Sequence, residues 1–516
     1  LPKSFATGLM IRLSDPQFDI LESRKQVNLF LAGQGSGKTH LAGVISYLYL
    51  STFPRMRGLI AANTYSQLTR STLFRIREVW KAEFGVVEYD EKKKKGHYVV
   101  GKRPPKHFTT FYEFDSYNNI MCFSWGAVVY IGSLDNYKAL DGMEIGWAML
   151  DETKDTKEIA VKEVIVGRLR QPGMYVNEAG ELVGDLTPEP FNPLYIFTSP
   201  AKVPWINEWF SLDKFQPEIK ATIYLPPKYF RQEVGNKLVT ISASHLNRHN
   251  LPSNYIDNQF SNIGKDRHGM LIFGDPFARA GGEFYKHFDR AKHVGKFADR
   301  YDPSLPLHLT FDQNAIPYNT LCIHQQYGNT DVQLAEICLE NPNNSTGKVC
   351  AAFLKSRFGK HEGSLFIYGD PSGKKRDTRS EEGTNDYSII LKALADLHPQ
   401  SRIITKAPPV ATRGQWISAV HERELDGLQF LIDENCTNTI NDYTYLKEAP
   451  DGTKLKEVVK DENTGVSYEK FGHTSDANDY YYTTAFKEQW RRFHKPQAAV
   501  ADSLPSSARP VRANSY

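Results

Sequence analysis

The chain of 516 residues is poor in cysteine: Cys122, Cys322, Cys338, Cys350 and Cys436 are its only thiols, and no two stand as CxxC. An odd number without that spacing excludes a disulfide framework and a structural zinc site, and fits a reducing compartment. Long apolar runs are missing too. None approaches the ~18–20 residues that a transmembrane helix needs, so no membrane span is expected. The opening LPKSFATGLM lacks the basic-then-apolar pattern of a secretory leader. Charge of either sign is not in excess. Lys and Arg number 63 against 60 Asp and Glu, a net +3, which excludes a histone-like coat but leaves local basic patches open. What is present is ordinary: 40% hydrophobic, 24% charged and 12% aromatic residues exclude disorder over most of the length. At about 100–200 residues per domain, the length implies more than one domain, and two large ones are expected.

Strand-like runs at 27–31, 58–62, 127–131, 145–150 and 194–198 alternate with helical stretches such as 38–50. That alternation predicts a parallel α/β sheet. After the turn-rich Tyr301–Pro306, strands are expected at 307–311, 319–325, 332–338 and 365–369. Helices are expected near 385–397, 415–424 and 476–490. The division expected is an α/β domain over 1–245, a connector over 246–304, a second α/β domain over 305–490 and a flexible tail over 491–516.

Ala32-Gly33-Gln34-Gly35-Ser36-Gly37-Lys38-Thr39 lies between a strand and a helix. It meets the Walker A pattern except at its first position, Ala32. The glycines let backbone N–H groups of Gly33, Gln34, Gly35, Ser36 and Gly37 face phosphate oxygens. Lys38 can reach the β- and γ-phosphates, and the Thr39 hydroxyl can ligate Mg²⁺. The apolar strand ending in Asp151-Glu152 supplies the partner chemistry: Asp151 to hold Mg²⁺ and Glu152 to orient and polarise the attacking water. Together these predict ATP hydrolysis. Gln17, in Asp15-Pro16-Gln17, is either an adenine-reading amide or part of a helix-starting turn. Thr198, in Thr198-Ser199-Pro200, is either a γ-phosphate sensor or an ordinary strand end.

A second set of chemical residues is acidic. Asp312 and Asp370 each end a strand, and Asp476 opens a helical stretch. His473, Asp476 and Asp479 are three apart and can share one helical face. Such carboxylates can converge on two divalent cations ~3.5–4 Å apart and cut a phosphodiester. Hard oxygen ligands select Mg²⁺ or Mn²⁺ over zinc.

The ordered motifs resemble the large terminase subunits of tailed double-stranded DNA bacteriophages. The resemblance runs along nearly the whole chain: Val27–Thr39, Ala61–Leu68, Tyr130–Asp135, Leu140–Glu152, Arg168-Leu169-Arg170-Gln171-Pro172, Thr310–Asp312, Tyr368–Pro371 and His473–Ala477. It implies an N-terminal P-loop additional-strand ATPase and a C-terminal RNase H-like nuclease. By that resemblance, Lys38 and Thr39 bind nucleotide and metal, Asp151 binds Mg²⁺ and Glu152 is the catalytic glutamate. Asp312, Asp370 and Asp476 are then the nuclease metal ligands. Asp476 is preferred over Asp479 because Ala477 follows it. The resemblance also implies a motor that drives duplex DNA into a procapsid and cuts concatemers. Its partners would be a portal protein, a small terminase subunit and further copies of itself in a ring, a pentamer. It would work in the host cytoplasm, transiently on the procapsid. Where the family often has a basic residue, this chain has Gln34, so Arg168, Arg170 or Arg70 must replace it. Gly472 stands where the family often has Asp before the His.

The basic segment 92–106 is either a DNA or capsid contact or a solvated hairpin arm, and the arm is the expectation; 374–376, just after Asp370, is the better candidate for a DNA contact, beside the nuclease site. A polar loop over 372–384 is expected to be mobile, and Tyr480-Tyr481-Tyr482 is expected in the core. No base-reading motif is visible, as expected of a protein that grips DNA by its backbone. A P-loop helicase or repair nuclease is the competing reading. Against it, the C-terminal half carries acids in place of a second ATPase-like lobe. A nucleotide-binding scaffold that holds DNA without cutting is a third, opposed by the complete acid set.

Overall fold

The computed structural model describes residues 11–173, 175–176, 181–183, 191–200, 205–278, 281–314, 316–374, 385–460 and 465–494. Most of the expected tail, the basic residues 375–376 and most of the expected mobile loop lie outside the described residues. The chain divides into two compact units, Leu1–Gly281 and Gly282–Tyr516. The segment expected as a connector is therefore shared between them.

The first unit is built on nine strands: Val27–Ala32 (β1), Arg57–Ala62 (β2), Tyr98–Val100 (β3), Ile120–Phe123 (β4), Val128–Ser133 (β5), Trp147–Asp151 (β6), Leu194–Thr198 (β7), Phe230–Val234 (β8) and Lys237–Ser242 (β9). Their order across the sheet is β8-β9-β1-β7-β6-β2-β5-β4-β3. The six from β9 to β5 are parallel; β8, β4 and β3 add antiparallel edges. β7 lies between β1, which feeds the P-loop, and β6, which ends in the acidic pair. That inserted strand defines the additional-strand P-loop fold. The edge strands and β9 were not anticipated. β3 and β8 are short or alternate with exposed polar residues, whereas the apolar run Leu238–Ile241 is a strand signal that can be read from sequence.

Strand periodicity organises the packing. Phe30 and Ala32 of β1 face one apolar layer with Leu41, Ile45 and Trp80; Val27, Leu29 and Leu31 face the other, with Val161, Ile206 and Phe210. The sheet is thus covered on both faces. The helices Asp15–Glu22 (α1), Lys38–Thr52 (α2) and Leu73–Phe84 (α3) supply much of the first layer. Burying one such aliphatic or aromatic side chain contributes about 1.5–3 kcal/mol.

The main sheet of the second unit has seven strands: Val294–Gly295 (β10), Leu307–Asp312 (β11), Tyr318–Tyr327 (β12), Thr330–Glu340 (β13), Leu365–Gly369 (β14), Gln400–Ser401 (β15) and Gln429–Asp433 (β16). Their order is β10-β16-β13-β12-β11-β14-β15. β11, β12 and β13 form an antiparallel meander, and β14 and β15 continue parallel on the far side of β11. This is the expected RNase H-like sheet, extended by β16 and β10 at the other edge. The helices Thr437–Tyr445 (α4) and His473–Ala485 (α5) matter most for the site. Leu307, Leu309 and Phe311 of β11 enter one apolar layer. The intervening His308, Thr310 and Asp312 are also buried, and Thr310 Oγ1 donates to the Ala477 carbonyl of α5 at 2.6 Å. Asp312 is thereby aimed toward α5. Tyr481 and Tyr482 are fully buried in the aromatic core, and the five cysteines are free thiols. No described helix is long and apolar enough to cross a membrane.

Candidate functional site

The first site lies at the carboxyl ends of β1, β7 and β6. Gly37, at φ +77°, ends the loop in a backbone conformation that L side chains rarely adopt, and α2 starts at Lys38. A Cβ at Gly33 would collide with the Ile272 carbonyl, so the first glycine is needed for a close approach of chain to chain. Segment 244–272 closes over the loop. Gln34 N–H donates to the Leu271 carbonyl at 2.7 Å, and Asn247 Nδ2 to the Gly35 carbonyl at 2.7 Å.

Lys38 is buried, and its ammonium donates to the carbonyls of Ala32 and Gly33 at 2.8 and 3.0 Å. Burial lowers its pKa, opposed by the charges of Glu152 and Asp151. The Thr39 hydroxyl lies 3.5 Å from Asp151 Oδ2. Thr72, a residue that motif reading did not single out, donates to the same oxygen at 2.7 Å. Asp151 is pushed up to about 6, first by burial and then by Glu152, against the hydrogen bond from Thr72.

Glu152 sits at φ +52°, ψ +51°, an uncommon conformation for a non-glycine residue. Holding it there costs on the order of 1–3 kcal/mol. Its N–H donates to the Phe197 carbonyl of β7 at 2.7 Å, which fixes the strained turn to the inserted strand. Ser199 Oγ donates to Glu152 Oε1 at 3.3 Å. Glu152 Oε2 has Lys154 Nζ at 4.0 Å. Neither Oε2 nor Asp151 Oδ1 has a hydrogen-bond partner among the described residues, although both are buried. Two orphaned carboxylate oxygens beside a hydroxyl and an ammonium suit Mg²⁺ with nucleotide phosphates.

Other candidates lie elsewhere. Gln17 is buried behind the loop with its amide fully engaged: Oε1 accepts from Ser14 N–H at 2.8 Å, and Nε2 donates to the Ser36 and Gly37 carbonyls at 3.3 and 3.0 Å. This is the helix-starting turn, and it also braces the P-loop. The Thr198 hydroxyl turns to the Ser199 carbonyl at 2.9 Å, so Ser199 is the residue at β7's end that meets Glu152. Arg168 is paired with Asp141, whereas Arg170 and Arg70 are exposed. The lysines 92–95 form an exposed turn.

In the second unit, Phe311 pairs with Gly369, so Asp312 and Asp370 stand side by side where adjacent parallel strands end. Asp312 is pushed up to about 6, first by burial, with Asp476 and Asp370 adding repulsion against His473. His473 Nδ1 is 3.8 Å from Asp312 Oδ2, and Asn314 Nδ2 reaches both groups. Asp370 accepts from Ser372 N–H at 2.8 Å and Ser372 Oγ at 2.6 Å.

Asp442 of α4 was not anticipated. It accepts from Gly472 N–H (2.9 Å), Thr474 Oγ1 (2.7 Å) and Ser475 N–H (3.0 Å), and so caps α5. A carboxylate from another helix thus sits where Gly472 offers none. One turn on, Asp476 Oδ1 is 2.7 Å from Lys454 Nζ. Asp479 is fully buried, with Lys454 Nζ at 2.9 Å and Tyr285 Oη at 2.7 Å. Burial opposes ionisation of Asp476, but Lys454 and Arg413 hold its carboxyl below the usual value. Asp312, Asp370 and Asp476 all act on the Tyr480 phenol, so they share one neighbourhood. Among the described residues no group of three or more His, Cys, Asp or Glu is placed so as to hold a metal ion. Asp312, Asp370 and Asp476 nevertheless offer hard oxygens, the donor type that a divalent cation takes.

No protein-family model matches the chain, and no curated protein matches it in sequence. Among solved structures, it is similar to the large terminase of a thermophilic bacteriophage in complex with ADP, at 15% identity and TM-score 0.36, over 92% of this chain and 100% of that one. It is also similar to the large terminase ATPase domain of a Thermus phage, at 15% identity and TM-score 0.32, over 53% and 97% of the two chains. The third likeness is to the large terminase nuclease domain of phage P22, at 11% identity and TM-score 0.27, over 42% and 98%. These three solved structures, to which the chain is similar, are large terminases, whole or by domain.

Proposed function

We propose that the chain is an ATP-driven DNA-packaging motor that also carries a metal-dependent endonuclease. The observation that supports it best is the meeting of Lys38, Thr39, Asp151, Glu152 and Ser199 at the ends of three adjacent parallel strands. Lys38 exchanges two carbonyl partners for the β- and γ-phosphates when nucleotide enters. Thr39 and Asp151 hold the cation, Thr72 keeps Asp151 oriented, and Glu152 takes up the proton side of an attacking water. Ser199 steadies Glu152 and links it to β7, so a change at the γ-phosphate has a route into the sheet. In the second unit Asp312, Asp370 and Asp476 hold the metal that the nuclease needs. Divalent cations at the two sites supply charge stabilisation for phosphate oxygens. Double-stranded DNA, a procapsid portal, a small terminase subunit and a ring of copies are the partners of this reading.

ATP hydrolysis measured with and without duplex DNA and empty procapsids tests it. Strong stimulation by both together is expected. Stimulation by single strands with unwinding and no response to procapsids would place the chain among helicases instead.

A further inference from the structure

We propose that Lys454 stands in for a second divalent cation, so that the nuclease centre, on the nuclease reading above, takes one such ion and not two. A lysine ammonium is rarely buried unless paired. Lys454 is almost fully buried, and its Nζ meets Asp476 Oδ1 at 2.7 Å, Asp479 Oδ2 at 2.9 Å and Ser475 Oγ at 3.1 Å.

The residue is held there from both sides. It lies on a hairpin of Lys447–Glu448 paired with Lys454–Leu455. Thr453 N–H donates to Asp451 Oδ1 at 3.0 Å in the turn, and Lys447 Nζ meets Glu283 at 2.6 Å at the base. The rings of Phe284 and Tyr285 lie 5.5 and 5.4 Å from the ammonium and close off its other side.

Charge counting points the same way. Asp476 and Asp479 are faced by two buried cations, Lys454 and Arg413, the latter with Nη1 4.0 Å from Asp479 Oδ2. Lys456 is committed to Glu469 at 2.6 Å. Asp312 and Asp370 form no ion pair with a Lys or Arg among the described residues, and the ionic partner of Asp312 is His473, with Nδ1 at 3.8 Å, so this pair of carboxylates is the place left for an added cation. A second ion would have to bind Asp476 beside an ammonium fixed 2.7 Å from its Oδ1, against the repulsion of that charge. Asp479, behind Lys454, is then a positioning residue: it holds the ammonium against Asp476.

The test counts bound Mn²⁺ by electron paramagnetic resonance on the full chain without nucleotide. The ions that Asp312→Asn removes are those of the nuclease centre. One such ion is expected in the wild type, two in Lys454→Met, and one in Lys454→Arg, which keeps the charge. Two in the wild type, or one in a folded Lys454→Met, would overturn the proposal while leaving the nuclease reading intact. If Lys454→Met does not fold, the wild-type and Lys454→Arg counts decide: one ion in each supports the proposal, and two in either overturns it. No Asp312-dependent Mn²⁺ in any form would overturn the nuclease reading, and this proposal with it.

Discussion

Each unit buries one lysine among acids, and the two are held in opposite ways. Lys38 has neutral partners, the carbonyls of Ala32 and Gly33, and lies only within the field of Asp151 and Glu152. Lys454 has ionic partners, Asp476 and Asp479. A carbonyl is readily exchanged for a phosphate, which is a stronger, charge-assisted acceptor. A buried carboxylate is not released without leaving a charge unpaired. The first lysine is therefore set to switch partners during a cycle, and the second to stay. The acids differ to match. Asp151 Oδ1 and Glu152 Oε2 are buried without a hydrogen bond; Asp479 Oδ2 also lacks one but lies 2.9 Å from the Lys454 ammonium, and its Oδ1 accepts from Tyr285.

Six substitutions probe this contrast. The largest effect is expected for Glu152→Gln, which should lower ATP hydrolysis by about 10²–10⁴-fold. Nucleotide binding, followed with a fluorescent analogue, should persist, and Mn²⁺-dependent DNA cleavage should be unchanged. Lys38→Ala comes next, with hydrolysis reduced about 10²–10³-fold and cleavage again intact. Asp312→Asn should do the reverse. Loss of both activities in all three variants would end the view that the two units work separately.

Asp479→Asn sharpens the comparison on the side of stability. It should destabilise the second unit by about 3–5 kcal/mol in urea unfolding, because it uncovers buried cations. Asp476→Asn should cost less stability, since its side chain retains 17% exposure, but should abolish cleavage. Full cleavage by the Asp476 variant would exchange the roles of the two acids. The smallest effect is expected for Thr72→Val. Losing one hydrogen bond to Asp151 is worth about 1 kcal/mol, so hydrolysis should fall by at most about tenfold.

The short-range features were legible in the sequence. The strand, glycines and helix around Lys38 are contiguous, and so is the apolar strand that ends in Asp151-Glu152. The strands that form the meander, and the strand ends at Asp312 and Asp370, follow from alternation and turn signals. Thr72, Ser199, Asp442 and Lys454 were missed or left without a role for one physical reason. Each acts through a partner distant in sequence, as Thr72 does on Asp151, or by which way a side chain turns at a strand end, as at Ser199. Gln17 shows the converse. Its position before the P-loop fits an adenine reader, but the turn that starts α1 uses one end of the amide and the P-loop carbonyls the other.

The sequence by itself determined which backbone turns can cradle phosphate, which strands are buried on both faces and which acids end them, because these depend on local conformation and periodicity. Only the tertiary structure decided that β7 comes between β1 and β6, that Glu152 is held in a strained turn, and that Lys454 is buried against Asp476. Burial and charge pairing belong to the assembled unit, where a lysine on a hairpin meets a carboxylate on a helix more than twenty residues away.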